Sequence, residues 1–223
     1  MEETCIGSSD IPEGLYSDYL SNLIAGQARQ CGETVRDLLA HGIEVEDLYT
    51  SLFQRSLYRV GELWETGRIS VATEHIATSI TERLMTLAYP AIFAAEHTDK
   101  TAIVSCAANE YHQIGGRMVA DILEMRGWHG HFLGANTPVA DLTRMIEEKQ
   151  PDIVALSVSV YFNMTGLSRA IEAVRKFDRN LPLLVGGQAL RWGDAGTVSE
   201  QNGIHVLHSL QDLDAFISTT SEN

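Results

Sequence analysis

The chain has 223 residues, 44% of them hydrophobic and 21% charged, which suffices for a packed core and argues against disorder. Sixteen basic against thirty acidic residues leave a formal net charge of −14, which repels phosphates and disfavours direct nucleic-acid binding. No run approaches the roughly 18 consecutive apolar residues of a membrane span, and Cys5, Cys31 and Cys106 form no CxxC pair, which fits a reducing cytoplasm.

Met1 to Gly14 is a polar lead-in whose Glu2 and Glu3 carry the wrong charge for a signal peptide. From Leu15 to about residue 95 the apolar period is helical. Tyr16, Tyr19, Leu20, Leu23 and Ile24 mark a first helix, and Val35, Leu38 and Leu39 a second that ends at His41 and Gly42. The spacing predicts a third from Val45 to Trp64 and, behind Ser70 as N-cap, a fourth reaching Phe93. Short connections make this a four-helix bundle.

After the charged joint Glu96 to Lys100 the period changes. Residues 100–223 alternate β-rich runs with helical segments. The strands are Ala102 to Cys106, His129 to Leu133, Ile153 to Ser157, Leu181 to Val185 and Ile204 to Leu207; the helices are near 113–126, 139–149, 164–177, 191–201 and 210–218. The pattern predicts a five-stranded parallel, Rossmann-like (flavodoxin-like) sheet covered by helices.

The first strand runs into Asn109-Glu110-Tyr111-His112-Gln113-Ile114-Gly115-Gly116. Ligands bind at the carboxyl ends of strands in such sheets, and Gly115 and Gly116 let the backbone approach something closely. This is not a dinucleotide fingerprint. A carboxylate two residues from an imidazole can hold one ring nitrogen and present the other to a metal, although a turn histidine is an equal reading of the residues alone. Elsewhere, His41 fits a helix cap, and His129 and His131 fit a solvated sheet edge. His97, His205 and His208 have no motif around them, and Arg191-Trp192 is as compatible with surface packing as with a ligand.

Glu-x-His-x-x-Gly resembles the signature of cobalamin-binding domains, whose histidine is the lower ligand to cobalt. Two further pieces of that pattern come in order: Ser157-Val158-Ser159 after one strand and Gly186-Gly187 after the next. The resemblance implies that His112 ligates cobalt, that Glu110, Gln113, Ile114 and Gly115 flank it, and that Ser157, Ser159, Gly186 and Gly187 serve the nucleotide tail. Tyr161 and Phe162 follow the serine strand and line the same pocket on this reading.

Trp64, nine intervening residues, then Glu74-His75 form a second constellation. The plain reading is a core Trp and an acidic first turn that complements the helix dipole. Beside a cobalamin signature it resembles the adenosylcobalamin-dependent photoreceptors, in which such residues line the upper face of the corrin. The resemblance implies a light sensor that responds to photolysis of the cobalt–carbon bond, has no catalytic residue, and acts through self-association or a partner protein. Two departures stand out. Met1 to Gly14 is too short for the family's helix-turn-helix domain, and Glu65 replaces the histidine that comes directly after the motif Trp. A variant reading adds a bilin (biliverdin), as in the photocobilins. The rivals are a corrinoid methyl-carrier subunit of a methyltransferase system and a cobalamin buffer or transport module.

Overall fold

A computed structural model describes residues 11–192 and 203–221, and the chain divides into two units between Phe93 and Ala94. Most of the lead-in, with Cys5, lies outside the described residues.

In the first unit, α1 (Glu13–Ile24) and α2 (Ala28–Ala40) bury Tyr19, Leu23, Cys31 and Val35. At the end of α2 the Nδ1 of His41 lies 2.7 Å from the Asp37 carbonyl oxygen and Gly42 takes φ +82°, which fits the cap reading. The third helical stretch is in three parts: α3 (Val45–Asp47), a π-helical turn (Leu48–Gln54) and α4 (Arg55–Glu65). The π turn buries Leu48, Tyr49, Leu52 and Phe53; the Phe53 ring centroid is 6.4 Å from Tyr19 and 6.0 Å from Tyr49. The Ser70 hydroxyl accepts from the Thr73 amide at 3.1 Å, the expected N-cap of α5 (Val71–Met85). The fourth helix, expected to run unbroken to Phe93, instead loosens into a 3-10 turn at Thr86–Ala88 before α6 (Tyr89–Ile92). Pro90 has no N–H and its ring crowds the carbonyl four residues back, so the α-helical ladder cannot pass it. α5 packs against α1, α2 and α4.

The second unit holds β1 (Thr101–Cys106), α7 (Ile114–Met125), β2 (His129–Phe132), α8 (Val139–Lys149), β3 (Ile153–Ser157), α9 (Met164–Phe177), β4 (Leu183–Gly186), α10 (Ala189–Trp192), β5 (Ile204–Leu207) and α11 (Leu210–Ser221). The strands form one parallel sheet in the order β2-β1-β3-β4-β5. β1 and β3 are buried along nearly their whole length, as parallel strands beneath helices are. β4 begins two residues later than the apolar run because Pro182 cannot donate to the ladder. Of the helix expected over 191–201, residues 193–201 and the side chains of Arg191 and Trp192 lie outside the described residues. Among the described residues no helix is long and apolar enough to cross a membrane.

The chain leaves β1 for β2 on one side and returns to β3 on the other. The switch in direction opens a crevice at the carboxyl ends of these two strands. Register pairs Cys106 with Ser157 there, so the loops beyond them leave the sheet side by side.

Candidate functional site

Glu110 is completely buried in the loop after β1, and five donors surround its carboxylate. Oε1 accepts from the His112 amide at 2.9 Å and meets His112 Nδ1 at 2.6 Å. Oε2 accepts from the amides of Ser159 at 2.9 Å and Val160 at 3.0 Å and from Asn163 Nδ2 at 3.0 Å. Burial pushes the carboxyl up, but the bonds from His112, Asn163 and the two backbone amides outweigh it and bring it down to about 2. A carboxylate that stays ionised accepts a hydrogen bond from Nδ1–H of His112, which leaves the lone pair on Nε2 of a ring whose side chain is 57% exposed. That is the dress of a metal-ligating histidine.

The loop around this pair is held from its neighbours. Asn109 and Asn136 both take positive φ, 68° and 50°. Asn136 Oδ1 accepts from the Asn109 amide at 2.8 Å, its own amide donates to the Glu110 carbonyl at 2.8 Å, and its Nδ2 donates to the Tyr111 hydroxyl at 3.2 Å. Asn163 stands at the N-cap position of α9 without capping the helix; it spends its amide on Glu110. Reading the sequence missed both asparagines. Asn163 carried a signal, as an N-cap residue type at the start of a helical run, but nothing in its spacing pointed to Glu110.

Ser157 is 9% exposed, and its hydroxyl makes no hydrogen bond among the described residues. Ser159 contributes its amide to Glu110. Tyr111, Tyr161 and Phe162 stand exposed beside these loops, Phe162 at 92%. The glycines divide by role. A Cβ at Gly116 would press the Phe132 ring at 3.2 Å, and one at Gly187, φ +119°, would overlap the Val158 carbonyl oxygen. Both are needed for packing within the protein. Around Gly115 there is open space, with Gln113 half-buried and Ile114 buried beside it. A Cβ on Gly186 would sit 3.3 Å from the Leu207 carbonyl oxygen. The Cys106 thiol is pushed up to about 12 by burial and the Glu110 charge, so it is an inert neighbour.

The bundle carries the second constellation. Trp64, one residue before the end of α4, is 44% exposed and is not a core Trp. In the first turns of α5, His75 Nδ1 meets Glu74 Oε2 at 2.6 Å while Glu74 Oε1 accepts from the Thr78 hydroxyl at 2.9 Å. At the sheet edge the His97 ring lies against that of His129, tilted by 52° with centroids 4.4 Å apart, and its Nε2 meets Glu124 Oε2 at 2.8 Å, a surface arrangement consistent with the edge reading.

Residues 100–209 match a family model described as B12 binding domain, and residues 15–89 match a second model with the same description. Over 162 residues the chain is 30% identical to the HTH-type transcriptional repressor CarH of Myxococcus xanthus, covering 72% of this chain and 52% of that protein. The chain thus spans about half the length of that relative. It is 21% identical over 182 residues to dimethylamine corrinoid protein 3 of Methanosarcina acetivorans, covering 78% of this chain and 83% of the relative. In fold it is similar to the Methanosarcina barkeri monomethylamine corrinoid protein, with a TM-score of 0.75 at 17% identity over 88% of this chain and 93% of that one.

Proposed function

The chain belongs to the B12-binding family, and from that premise we propose that it is a light sensor that carries adenosylcobalamin. The observation that carries this reading is Trp64. Its indole is displayed rather than buried, with nine residues between it and a clamped Glu74–His75 pair, in the pattern of the adenosylcobalamin photoreceptors.

The residues fit the cofactor. Among the described residues no cluster of three or more His, Cys, Asp or Glu could cage a metal, so a metal bound at His112 has to bring its other ligands with it, as a corrin does. His112 would offer Nε2 to the cobalt, Glu110 holds the ring, and the Ser157 hydroxyl at the end of β3 would receive the buried nucleotide tail with Ser159 and the Gly186-Gly187 turn. Gln113, Ile114, Gly115 and Tyr161 complete that surface. Trp64, Glu74 and His75 serve the adenosyl side. Bound adenosylcobalamin supplies a cobalt–carbon bond that light breaks. Trp64 and His75 would be the residues that sense the loss of the adenosyl group, and the signal would pass through self-association or a partner protein. The chain itself performs no catalysis.

A methyl-carrying corrinoid subunit is the second reading, favoured by the 83% of the dimethylamine corrinoid protein that this chain spans. Nothing among the described residues identifies a bilin site, and neither reading includes one. Absorption spectra of protein loaded in darkness with adenosylcobalamin, taken before and after green light, test the proposal. A spectrum that changes with light and tighter binding than methylcobalamin are expected; no change, or preference for methylcobalamin, overturns it in favour of the carrier.

A further inference from the structure

The geometry points to Asn136, in the loop after β2, as a positioning residue that presets His112 for cobalt; the inference rests on the cobalamin-binding reading. One residue ties down three consecutive members of the neighbouring loop. Its Oδ1 accepts from Asn109, its amide donates to the Glu110 carbonyl and its Nδ2 donates to the Tyr111 hydroxyl. His112 comes next in the chain. Two of the residues in this clasp, Asn109 and Asn136 itself, sit in the left-handed region, which asparagine tolerates better than most non-glycine residues.

The clasp complements the hold on Glu110. Ser159, Val160 and Asn163, all beyond the end of β3, fix the carboxylate end of that residue, whereas Asn136 fixes its backbone carbonyl and both its chain neighbours. The imidazole is therefore anchored from the β2 side as well as the β3 side. A second tie holds the loop after β2 to the end of β1, since the Cys106 amide donates to the Gly134 carbonyl at 3.1 Å. A ligand loop ordered before its metal arrives binds without the cost of ordering it then. A loop released from Asn136 leaves Glu110 and His112 bonded to each other but lets the pair swing, so His112 meets cobalt in only part of the population.

The test uses the full chain with Asn136→Gly and Tyr111→Phe. Glycine accepts φ +50° without strain, so Asn136→Gly removes the side-chain bonds without imposing a backbone penalty. Tyr111→Phe removes only the acceptor for Nδ2. The probes are hydroxocobalamin, followed by absorption and titration, and its one-electron-reduced form, whose electron paramagnetic resonance spectrum shows splitting from an axial nitrogen; isotope-labelled histidine in the protein assigns that nitrogen to an imidazole side chain rather than to the cofactor's own benzimidazole. Asn136→Gly is expected to lose about tenfold in affinity and to show a mixture of nitrogen-split and unsplit spectra. Tyr111→Phe is expected to shift the same way by less, and the double variant to match Asn136→Gly. Because a general loss of stability would not change which ligand sits on the bound cobalt, the split spectrum isolates positioning. Wild-type affinity with a fully nitrogen-split spectrum in Asn136→Gly overturns the inference. Should that variant fail to fold, an unshifted Tyr111→Phe overturns it. Wild-type protein that binds hydroxocobalamin without nitrogen splitting refutes the His112 reading instead.

Discussion

The Nδ1 of His75 lies 2.6 Å from Oε2 of Glu74, the same separation at which His112 Nδ1 meets Glu110 Oε1. In each pair a carboxylate oxygen lies within hydrogen-bond distance of Nδ1 and so favours the tautomer that keeps the lone pair on Nε2. The surroundings differ. Glu110 is sealed among five donors, while among the described residues the Glu74 carboxylate has the Thr78 hydroxyl as its one further partner and His75 keeps a 73% exposed side chain. Glu74→Ala is expected to free the ring and weaken adenosylcobalamin binding several-fold while methylcobalamin binding is retained. The fold should lose only the first-turn dipole contribution, about 0.3–1 kcal/mol. Equal losses for both cobalamins by titration would contradict a role toward the adenosyl group.

Trp64→Ala separates packing from shielding. A fully buried Trp costs roughly 3–5 kcal/mol on truncation, but Trp64 is nearly half exposed. The apo protein is therefore expected to lose well under that amount, on the order of 1 kcal/mol. Selectivity for adenosylcobalamin over methylcobalamin should fall with it. Apo melting curves and the two affinities check both parts, and a large drop in apo stability with selectivity intact would return Trp64 to the core.

Glu110 gives the chain an acid limit. Its carboxyl is lowered from about 4.5 to about 2 in the folded protein, so the unfolded chain takes up the proton first as pH falls. The stabilisation is fully present above the unfolded value and is lost progressively as pH drops from about 4.5 toward about 2. Apo Glu110→Gln should be less stable than wild type at neutral pH, and the gap should narrow through that window. Melting temperatures of both proteins between about pH 6 and about pH 2, a range of roughly the width that linkage requires, decide it; a constant gap would mean that Glu110 is not the titrating group.

Ser157→Ala should leave the apo protein nearly unchanged, because its hydroxyl has no hydrogen-bond partner among the described residues to lose. Cobalamin affinity should fall by the equivalent of one hydrogen bond, about 0.5–1.5 kcal/mol. Cobinamide, which lacks the nucleotide tail, provides the control: its affinity should not move. An equal loss for both ligands would exclude a bond to the tail.

The parts of this chain legible in the sequence are those governed by local period. Ile153–Ser157 is a continuous apolar run because a central parallel strand is buried on both faces, and Met164–Phe177 keeps its helical spacing throughout. The Glu110–His112 contact was legible for the same reason, its partners standing two residues apart. What escaped depends on partners far along the chain. The π turn at Leu48–Gln54 keeps an apolar face that periodicity does not distinguish from α-helix. Asn136 and Asn163 reach the loop across 27 and 53 residues, and an asparagine's hydrogen bonds leave no spacing in the sequence. Trp64 has the position of a core residue by pattern; only the fold shows its indole standing out.

On the proposed light-sensor reading, Glu65 bears on the state that illumination would produce. It closes α4 directly after Trp64, where the photoreceptors that this chain resembles carry a histidine. A carboxylate is a harder oxygen donor than imidazole and a poor substitute for it on cobalt(III). Illuminated wild type is therefore expected to show at first the spectrum of cobalt held by His112 alone among the protein's side chains. If a second imidazole joins more slowly, His75 is the candidate nearest in sequence, with its Nδ1 already committed to Glu74. Glu65→His should give the two-imidazole spectrum promptly, and His75→Ala should abolish any slow conversion in wild type while leaving the prompt one in Glu65→His intact. Time-resolved absorption after a single flash, on wild type, the two single variants and their combination, distinguishes these. A prompt two-imidazole spectrum in wild type that survives His75→Ala would assign the second ligand to another histidine and remove Glu65 from the account.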